Sequence, residues 1–377
     1  MKRHHHLGIF CVAGLLGFAP LVQAKEFLVY FGTYTNQLSR GIYVSRLDAD
    51  TGKLSTPKLA AAIGNPCFVN VSPDGKFLYS ANSVNPGSVA AFAIDKTSAQ
   101  LTLLNEKSSG GAGPCHVSVD ATGKFLFAAN YGSGSVKTFL LESNGSIGVD
   151  GCLMEYYGRS VNTNRQTAPH AHFICADPSN DFVLVCDLGT DKVEVHSLAD
   201  ATGRGVRGTF PASVPPGSGA RHLAFGRDGK FVYVVNEMAC TISQFAWDGK
   251  SGTLTLLETV PALPPGVAVQ NTFTAAEILV RPDGKFVYAT LRGHDSVSVF
   301  AADAKSGKLT FVQNLSSGGN VPRGLGIDPT GRWLITAHQK SDNAVEFSID
   351  ASTGKISPTG LELKIGSPVD VKFVAVE

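Results

Sequence analysis

Histidine, arginine and glutamate residues recur at the ends of short apolar segments throughout the 377-residue chain. A neutral histidine takes up a proton readily near pH 7, because its pKa lies close to that pH. A fixed arginine stabilises negative charge on a carbonyl oxygen or binds an anionic group of a ligand. These residue types therefore indicate proton transfer next to a developing or permanent negative charge.

More specific catalytic and metal-binding motifs are absent from the sequence. It contains no G-x-S-x-G, C-x-x-C or H-E-x-x-H motif, which argues against a serine nucleophile elbow and against the common zinc sites. His170 and His172 alone are a weak metal signal, so we do not predict a metal site. A G-x-G-x-x-G match at residues 203–208 has no helix pattern behind it, which argues against a dinucleotide site.

Two recurring turn motifs show which elements position the candidate residues. The first, SPDGKFLY at 72–79, occurs in six related copies, and the second, DADTGKLS at 48–55, occurs in seven. Short runs rich in β-branched and aromatic residues lie between them. Each repeat therefore reads as four strands joined by turns, which is an antiparallel meander.

Seven such meanders predict an all-β fold, a seven-bladed β-propeller of four-stranded antiparallel blades. We expect the ring to be closed by pairing of the N- and C-terminal strands, with 367–377 innermost and 26–34 next to it. This closure explains why the first motif is one copy short, and it leaves no long sheet edge exposed. An open solenoid would need polar end repeats and two domains would need a linker, and neither is present. We expect one domain at 25–377.

The N-terminus reads MKRHHH, then an apolar run, then the small-residue ending Val22-Gln23-Ala24. This pattern is typical of a secretory signal peptide over residues 1–24, with cleavage after Ala24 and a periplasmic or secreted product. No other apolar stretch is long enough to span a membrane.

Six cysteines follow the leader, and an oxidising compartment would permit disulfides. Cys67 with Cys115, or Cys175 with Cys186, are the possible pairs. A domain of this size does not need disulfides, so we favour buried free thiols.

The overall charge is balanced, with 32 Lys and Arg against 31 Asp and Glu. Nucleic-acid binders usually show a basic excess or stripe, because phosphate contacts supply most of their affinity. We therefore expect no nucleic-acid partner. The sequence carries no signal for an oligomeric state.

In each predicted blade, the start of the innermost strand and the end of the second strand lie on one face of the ring. Polar residues that depart from the repeat there indicate a concave site with convergent polar groups. The strand starts contribute His116, His170, His172, Arg221, His222, Glu277 and Arg323. The strand ends contribute Asn130, Tyr131, Asp187, Glu237, Arg292, His294 and His338.

Several of these residues also have a purely structural interpretation. His116 and His222 occupy equivalent repeat positions, so both could be structural histidines. Of His170 and His172, we expect one to be functional and the other to be structural. Glu237 is either functional or simply the ion-pair partner that a buried arginine requires.

At these residues the chain resembles the propeller lactonase family, which contains 6-phosphogluconolactonases and 3-carboxy-cis,cis-muconate lactonizing enzymes. The resemblance runs from about Phe27 to the C-terminus. The motifs that carry it are AANYGSGSV (128–136), RQTAPHAHF (165–173), DLGTDKV (187–193), ARHLAFGRDGKFVYVVNE (220–237), AAEI (275–278) and LRGHDSV (291–297).

The resemblance implies a site made of one histidine, two arginines and one glutamate. By motif the arginines are Arg221 and Arg292 and the glutamate is Glu237. The histidine belongs to the PHAH segment, and we assign His172, with His170 as the alternative. The further residues that we expect to bind substrate are His116, Asn130, His170, Glu277 and Arg323.

The resemblance implies hydrolysis of a sugar-acid lactone, a small-molecule substrate, without a cofactor. The histidine and Glu237 would exchange protons or Glu237 would orient the histidine, while the arginines would stabilise the oxyanion and hold an anionic substituent. The alternatives are a muconate-type lactonizing isomerase and a non-catalytic secreted propeller that binds carbohydrate or protein.

Overall fold

The structure is a computed structural model that describes residues 25–203 and 211–376. The predicted signal peptide, residues 1–24, lies outside the described residues. The described chain forms seven four-stranded antiparallel sheets, which confirms the predicted all-β propeller.

The blades are numbered in chain order. Blade 1 contains β1 (Glu26–Thr33), β2 (Gly41–Asp48) and β3 (Lys58–Ala62). Blade 2 contains β4 (Pro66–Val71), β5 (Phe77–Asn82), β6 (Ser88–Ile94) and β7 (Leu101–Ser108). Blade 3 contains β8 (Pro114–Val119), β9 (Phe125–Asn130), β10 (Ser135–Leu141) and β11 (Ile147–Glu155). Blade 4 contains β12 (Ala171–Ala176), β13 (Phe182–Asp187), β14 (Lys192–Ser197), α1 (Leu198–Ala201) and β15 (Ala212–Ser213).

The remaining blades follow the same plan. Blade 5 contains β16 (Ala220–Phe225), β17 (Phe231–Asn236), β18 (Thr241–Asp248) and β19 (Thr253–Pro261). Blade 6 contains β20 (Thr274–Val280), β21 (Phe286–Arg292), β22 (Ser296–Ala302) and β23 (Leu309–Ser316). Blade 7 contains β24 (Pro322–Ile327), β25 (Trp333–His338), β26 (Asn343–Ile349) and β27 (Ile356–Lys364), and β28 (Pro368–Val376) completes blade 1.

The two ends of the described chain close the ring within blade 1. β28 pairs antiparallel with β1, and Phe27 lies opposite Ala375 while Phe31 lies opposite Val371. The innermost strands contact one another in a closed circle, from β28 to β4 and onward through β24 back to β28. The predicted closure by the terminal strands is therefore confirmed.

The core lies between neighbouring blades rather than inside any one of them. Each junction holds one cluster of buried apolar side chains, seven clusters in the described residues. The second strands are covered on both faces, so they read as nearly continuous apolar runs, and all six residues of β9 are buried. A buried side chain such as Phe139 contributes about 1.5–3 kcal/mol, which makes every junction part of the stability of the ring.

The recurring turns are held by side-chain hydrogen bonds and by glycine. In the SPDG turn, the Ser72 hydroxyl donates to Asp74 Oδ1 at 2.6 Å, and the Gly75 amide donates to the Ser72 carbonyl at 2.8 Å. Gly75 has φ +67°, a left-handed conformation that glycine adopts without strain. The motif recurs because blades 2 to 7 make the same first reversal, whereas the two inner strands of blade 1 are the ends of the described chain.

Blade 4 departs from the predicted repeat. Its copy of the second turn motif lies at residues 198–206, where the sequence predicts a turn before an outer strand. In the described part of this segment, Leu198–Ala201 is a helical turn, and β15 has only two residues. Ser197 acts as its N-cap, because its hydroxyl accepts from the Asp200 amide at 3.1 Å. β15 still pairs antiparallel with β14, so blade 4 keeps the reversal but has a shorter outer strand.

The six described cysteines are free thiols, four of them buried. This confirms the expectation of free thiols over the two disulfide pairs. No helix in the described residues is long and apolar enough to cross a membrane.

Candidate active site

An irregularity at the start of each innermost strand places one side chain on the axis of the ring. In β12 the pairing register shifts between Ala171 and Phe173, so His172 is the extra residue of a β-bulge. A bulge interrupts the alternation of a strand and re-aims a side chain. The residues that belong to these irregularities are Cys67, Cys115, His172, Arg221, Glu277, Arg323 and Val369.

These bulged residues meet around one cavity of about 10 Å³, together with Phe68 and His222. A cleft of about 400 Å³ shares Cys115, His172 and Arg323 with this cavity. The cleft is lined by Tyr34, Ser83, Gly113, Cys115, Tyr131, Gly132, Arg165, His172, Glu237, Thr274, Arg292 and Arg323. It is the concave site that strand ends on one face of the ring were expected to form.

Glu237 binds three arginines at the base of the cleft. Its Oε2 accepts from Arg221 Nε at 3.0 Å and pairs with Arg292 Nη2 at 2.8 Å. Its Oε1 accepts from Arg165 Nη2 at 2.7 Å. Burial alone would raise the pKa of Glu237, but Arg292, Arg221 and Arg165 together hold it well below its ordinary value. Glu237 is therefore an ionised carboxylate with no contact to a histidine among the described residues, which corrects the expectation that it orients one.

Arg221 lies beneath the cleft and does not line it. The side chain is 2 % exposed, and its Nη1 donates to the Ala276 carbonyl at 2.6 Å while its Nε binds Glu237. Burial, with Arg323 and Arg292 nearby, lowers the pKa of Arg221 to about 9, so it stays cationic at pH 7. Arg221 thus supports Glu237 from below, in contrast to the expectation that it contacts the substrate.

Arg165 is the residue of the cleft that sequence reasoning missed. It comes from the irregular stretch between β11 and β12, and its Nη2 also donates to the Tyr131 hydroxyl at 3.2 Å. The available signal was an arginine inside the RQTAPHAHF motif, next to the expected histidine. Arg165 was passed over because it belongs to a loop rather than to a strand end.

Arg323 differs from the other three arginines because it pairs with no carboxylate in the part of the chain that the structure describes. Its guanidinium lies over the Tyr34 ring, 5.7 Å from the centroid. Three arginines and one carboxylate thus line the cleft, and a fourth arginine, Arg221, lies beneath that carboxylate. A site with this excess of positive charge is suited to an anionic ligand.

His172 presents its ring to the cleft and is bonded from behind. Its Nδ1 lies 3.2 Å from His222 Nε2, and His222 Nδ1 lies 2.8 Å from Glu277 Oε1. The three side chains are buried. Burial, followed by the charge of Arg221, lowers the pKa of His172 well below its ordinary value, so the imidazole is neutral.

Four residues that were expected to bind substrate, namely His116, His170, Asn130 and Glu277, lie outside the lining of the cleft. His116 packs between Phe68 and Phe173, with ring centroids 4.1 and 4.2 Å away. His170 stacks on the Tyr131 ring at 4.4 Å, and its Nδ1 lies 2.9 Å from the Tyr131 carbonyl oxygen.

Asn130 holds two segments of blade 3 together, since its amide donates to Ser109 O at 3.0 Å and Ser135 Oγ at 3.3 Å. Glu277 lines the small axial cavity but not the cleft. His116, His170, Asn130 and Glu277 are thus held by contacts outside the cleft lining.

Other parts of the described chain offer no competing site. A depression of about 850 Å³ lies on the opposite face among turns, lined by residues such as Asn180, Asp181 and Lys250. Its described lining residues include no convergent set of catalytic groups. No described group of three or more His, Cys, Asp and Glu side chains is arranged to hold a metal ion.

Comparison with known proteins gives consistent matches over nearly the whole chain. A family model described as lactonase, 7-bladed β-propeller, matches residues 28–373. The 6-phosphogluconolactonase of Bacillus subtilis (strain 168) is 36% identical over 350 residues, which are 93% of this chain and 99% of that protein. The 6-phosphogluconolactonase of Formosa agariphila is 31% identical over 346 residues, 89% of this chain and 96% of that protein.

Solved structures match equally well. The periplasmic gluconolactonase of Pseudomonas aeruginosa superposes with a TM-score of 0.86 at 30% identity, covering 93% of this chain and all of that one. The likeness in sequence and the likeness in structure thus extend over the same ring of blades.

Proposed function

The chain belongs to the seven-bladed β-propeller lactonase family, and from this membership we propose that it hydrolyses the lactone of a sugar acid that carries a negatively charged substituent. One observation carries the proposal: a neutral histidine lines a cleft that contains more arginines than carboxylates. Neutral imidazole accepts a proton from water, and the positive charge matches both the oxyanion and an anionic substituent.

In the proposed reaction His172 is the general base. It takes a proton from a water molecule while the water oxygen attacks the lactone carbonyl, and the carbonyl oxygen becomes an oxyanion. The ring C–O bond then breaks as the oxyanion collapses, and His172 returns the proton to the leaving ring oxygen. The product is the open sugar acid, with its carboxyl proton released to solvent.

Two arginines of the cleft bind different negative charges of the reacting substrate, namely the oxyanion and the anionic substituent. Arg292 lines the cleft and is fixed by Glu237 and by the Ala275 carbonyl at 2.9 Å, so it stabilises the oxyanion. Arg323 is free of carboxylate partners in the described chain, so it binds the anionic substituent. Glu237 positions Arg165, Arg221 and Arg292, and its low pKa argues against a role in proton transfer.

The relatives suggest two related substrates. The names of the Bacillus and Formosa proteins point to a lactone bearing a phosphate, and that of the Pseudomonas protein to gluconolactone. The excess of arginine favours the phosphorylated lactone. We further propose that the chain is exported, on the basis of the leader pattern in residues 1–24 and the likeness to a periplasmic protein.

The test is the rate of proton release at pH 7 with glucono-δ-lactone and with its 6-phosphate, corrected for spontaneous opening. We expect catalysis by the wild type, a higher kcat/KM for the phosphate, and loss of the rate in His172→Gln. His196→Gln is the matched control, because His196 is a buried histidine that bonds the Tyr156 hydroxyl away from the cleft.

A wild-type rate equal to the spontaneous rate would overturn the proposal. Saturable binding of the lactone without turnover would then support the non-catalytic propeller. In a separate assay with a muconate as substrate, loss of its ultraviolet absorbance band would support the lactonizing isomerase.

A further inference from the structure

We infer that Glu277 and His222 are positioning residues that hold His172 in the tautomer whose Nε2 carries a lone pair and no proton. The catalytic consequence of this arrangement rests on the proposed lactone hydrolysis. The arrangement itself is a property of three hydrogen-bonded side chains and is testable without any substrate.

The three residues come from three consecutive innermost strands. β12 supplies His172, β16 supplies His222 and β20 supplies Glu277. The distances are 2.8 Å from Glu277 Oε1 to His222 Nδ1 and 3.2 Å from His222 Nε2 to His172 Nδ1. The chain runs from the buried axis of the ring to the cleft, and it ends there because no described residue bonds His172 Nε2.

The carboxylate end determines the direction of every hydrogen bond in the chain. Glu277 Oε1 also accepts from the Ile278 amide at 3.1 Å, which favours the ionised carboxylate over the acid. An ionised Glu277 can only accept, so His222 must carry its proton on Nδ1. His222 Nε2 is then an acceptor, and His172 must donate from Nδ1. The lone pair of His172 is left on Nε2, where a general base for the cleft requires it.

Burial raises the pKa of Glu277 above its ordinary value, against the opposing effect of three cations from other strands, namely Lys372 of β28, Arg221 of β16 and Arg323 of β24. The hydrogen bond from the Ile278 amide and these cations favour the ionised carboxylate that the inference requires. Asp370 of β28 is the nearby anion, and it is itself paired with Lys372 at 2.6 Å. Burial is the main reason that the pKa of His172 is lowered, and the groups that face it, Arg221, His222, Arg323 and Arg292, lower it further, so its imidazole is neutral.

Packing alone does not account for this pair. His222 is surrounded by Phe68, Phe173 and the His116 ring, an environment that would accept an apolar side chain at lower cost. Burying a carboxylate there costs free energy unless the carboxylate is paired and hydrogen-bonded. The hydrogen bonds of Glu277 and His222 orient the ring of His172 and select its tautomer, as in carboxylate–histidine pairs generally.

The direct test is 15N NMR of histidine side chains in the purified protein, with signals assigned by their loss in His172→Gln and His222→Phe. We expect both rings of the wild type to be protonated on Nδ1 and bare on Nε2. In His222→Phe, His172 loses its acceptor and its signals should shift to a mixture of tautomers. A wild-type His172 protonated on Nε2 would overturn the inference.

The kinetic test uses rescue by a conservative variant. We expect His222→Phe to lower kcat by about 100-fold with little change in KM. His222→Gln should recover most of this loss, because the Gln side-chain oxygen can accept from His172 Nδ1 where a phenyl ring cannot. Glu277→Gln should lower kcat by less than His222→Phe.

Matched controls are His196→Gln and Glu346→Gln, a buried histidine and a buried carboxylate that do not line the cleft. A folded His222→Phe with wild-type kcat, or equal kcat for the Phe and Gln variants, would overturn the inference. A wild type with the expected tautomers but no hydrolysis would contradict the proposed function and leave the positioning pair standing.

Discussion

Arg221 and Glu237 are sixteen residues apart in the chain and form a buried ion pair, Nε to Oε2 at 3.0 Å, at the base of the cleft. The side chains are 2 % and 6 % exposed, so neither charge is solvated. Glu237 also binds Arg165 and Arg292, which line the cleft. The ion pair of Arg221 with Glu237 therefore holds these two arginines in position.

Removal of Arg221 should destabilise the protein strongly. Arg221→Met leaves the Ala276 carbonyl and one side of Glu237 without a buried partner, and we expect a loss of about 3–5 kcal/mol in the free energy of unfolding. Chemical denaturation measures this. Arg332→Met is the control, because the pair of Arg332 with Asp50 is exposed and should matter little. A loss in Arg221→Met no greater than that of the control would contradict the structural role.

Replacement of Arg323 should change substrate preference rather than stability. Arg323 pairs with no carboxylate in the described chain, so Arg323→Gln leaves no buried charge unpaired. We expect kcat/KM for 6-phosphogluconolactone to fall by about 100-fold, the loss of a charge-assisted contact, and that for gluconolactone to change much less. Steady-state kinetics on the two lactones decide the point, and an equal loss on both would assign Arg323 to the reaction centre instead.

The pH dependence of the rate should reflect the lowered pKa of His172. The base works when it is neutral, and burial together with Arg221 lowers its pKa well below 6.5. Activity should therefore persist as the pH falls through 6.5, where an ordinary histidine would become protonated and inactive. The profile of kcat/KM against pH is the measurement, and an acid limb centred near 6.5 would contradict it.

Glu346 should make the folded protein less stable as the pH rises. Burial raises its pKa to about 7, with the Thr359 hydroxyl as a partner and Asp328 nearby. The native state therefore holds a proton that the unfolded state has released, so this contribution is present below about pH 4.5 and is lost as the pH rises through about 7. We expect Glu346→Gln to raise Tm at pH 8 on the order of 1–3 °C and to have little effect at pH 4.5.

The control for Glu346 is Glu362→Gln on the neighbouring strand. Glu362 is exposed, and its pKa is lowered by hydrogen bonds from Lys364 and Asn343. Its contribution has the opposite sign, since stability from a lowered pKa is present at high pH and lost in acid. Calorimetry of both variants at pH 4.5 and 8 tests the assignment, and parallel shifts in the two would contradict it.

The architecture could be predicted because each repeat contains the strands and turn motifs of one four-stranded blade. SPDG-type turns mark every first reversal except one, and the exception identifies the blade that the chain termini close. Local chemistry misled only in blade 4, where a helical turn capped by Ser197 follows β14 and the outer strand has only two residues.

The site was predicted in outline and corrected in detail. Strand ends indicated His172, Glu237, Arg292 and Arg323, and all four line the cleft. Arg165 was missed because an irregular loop has no periodicity from which its position can be deduced. His116, His170 and Asn130 were expected to bind substrate because they lie at strand starts or ends on the face of the ring that carries the site. Side chains at the same strand end can nevertheless point in different directions.

By itself, then, the sequence determined the ring, its closure and the face on which the polar residues gather, because these follow from turn chemistry and strand length. Only the tertiary structure decided which side chain of each strand end reaches the axis. A bulge at the start of the innermost strand turns His172 rather than His170 inward and lets His222 and Glu277 meet behind it. This could not be deduced from alternation, because a bulge shifts the period of two by one residue and is stabilised by the neighbouring blades.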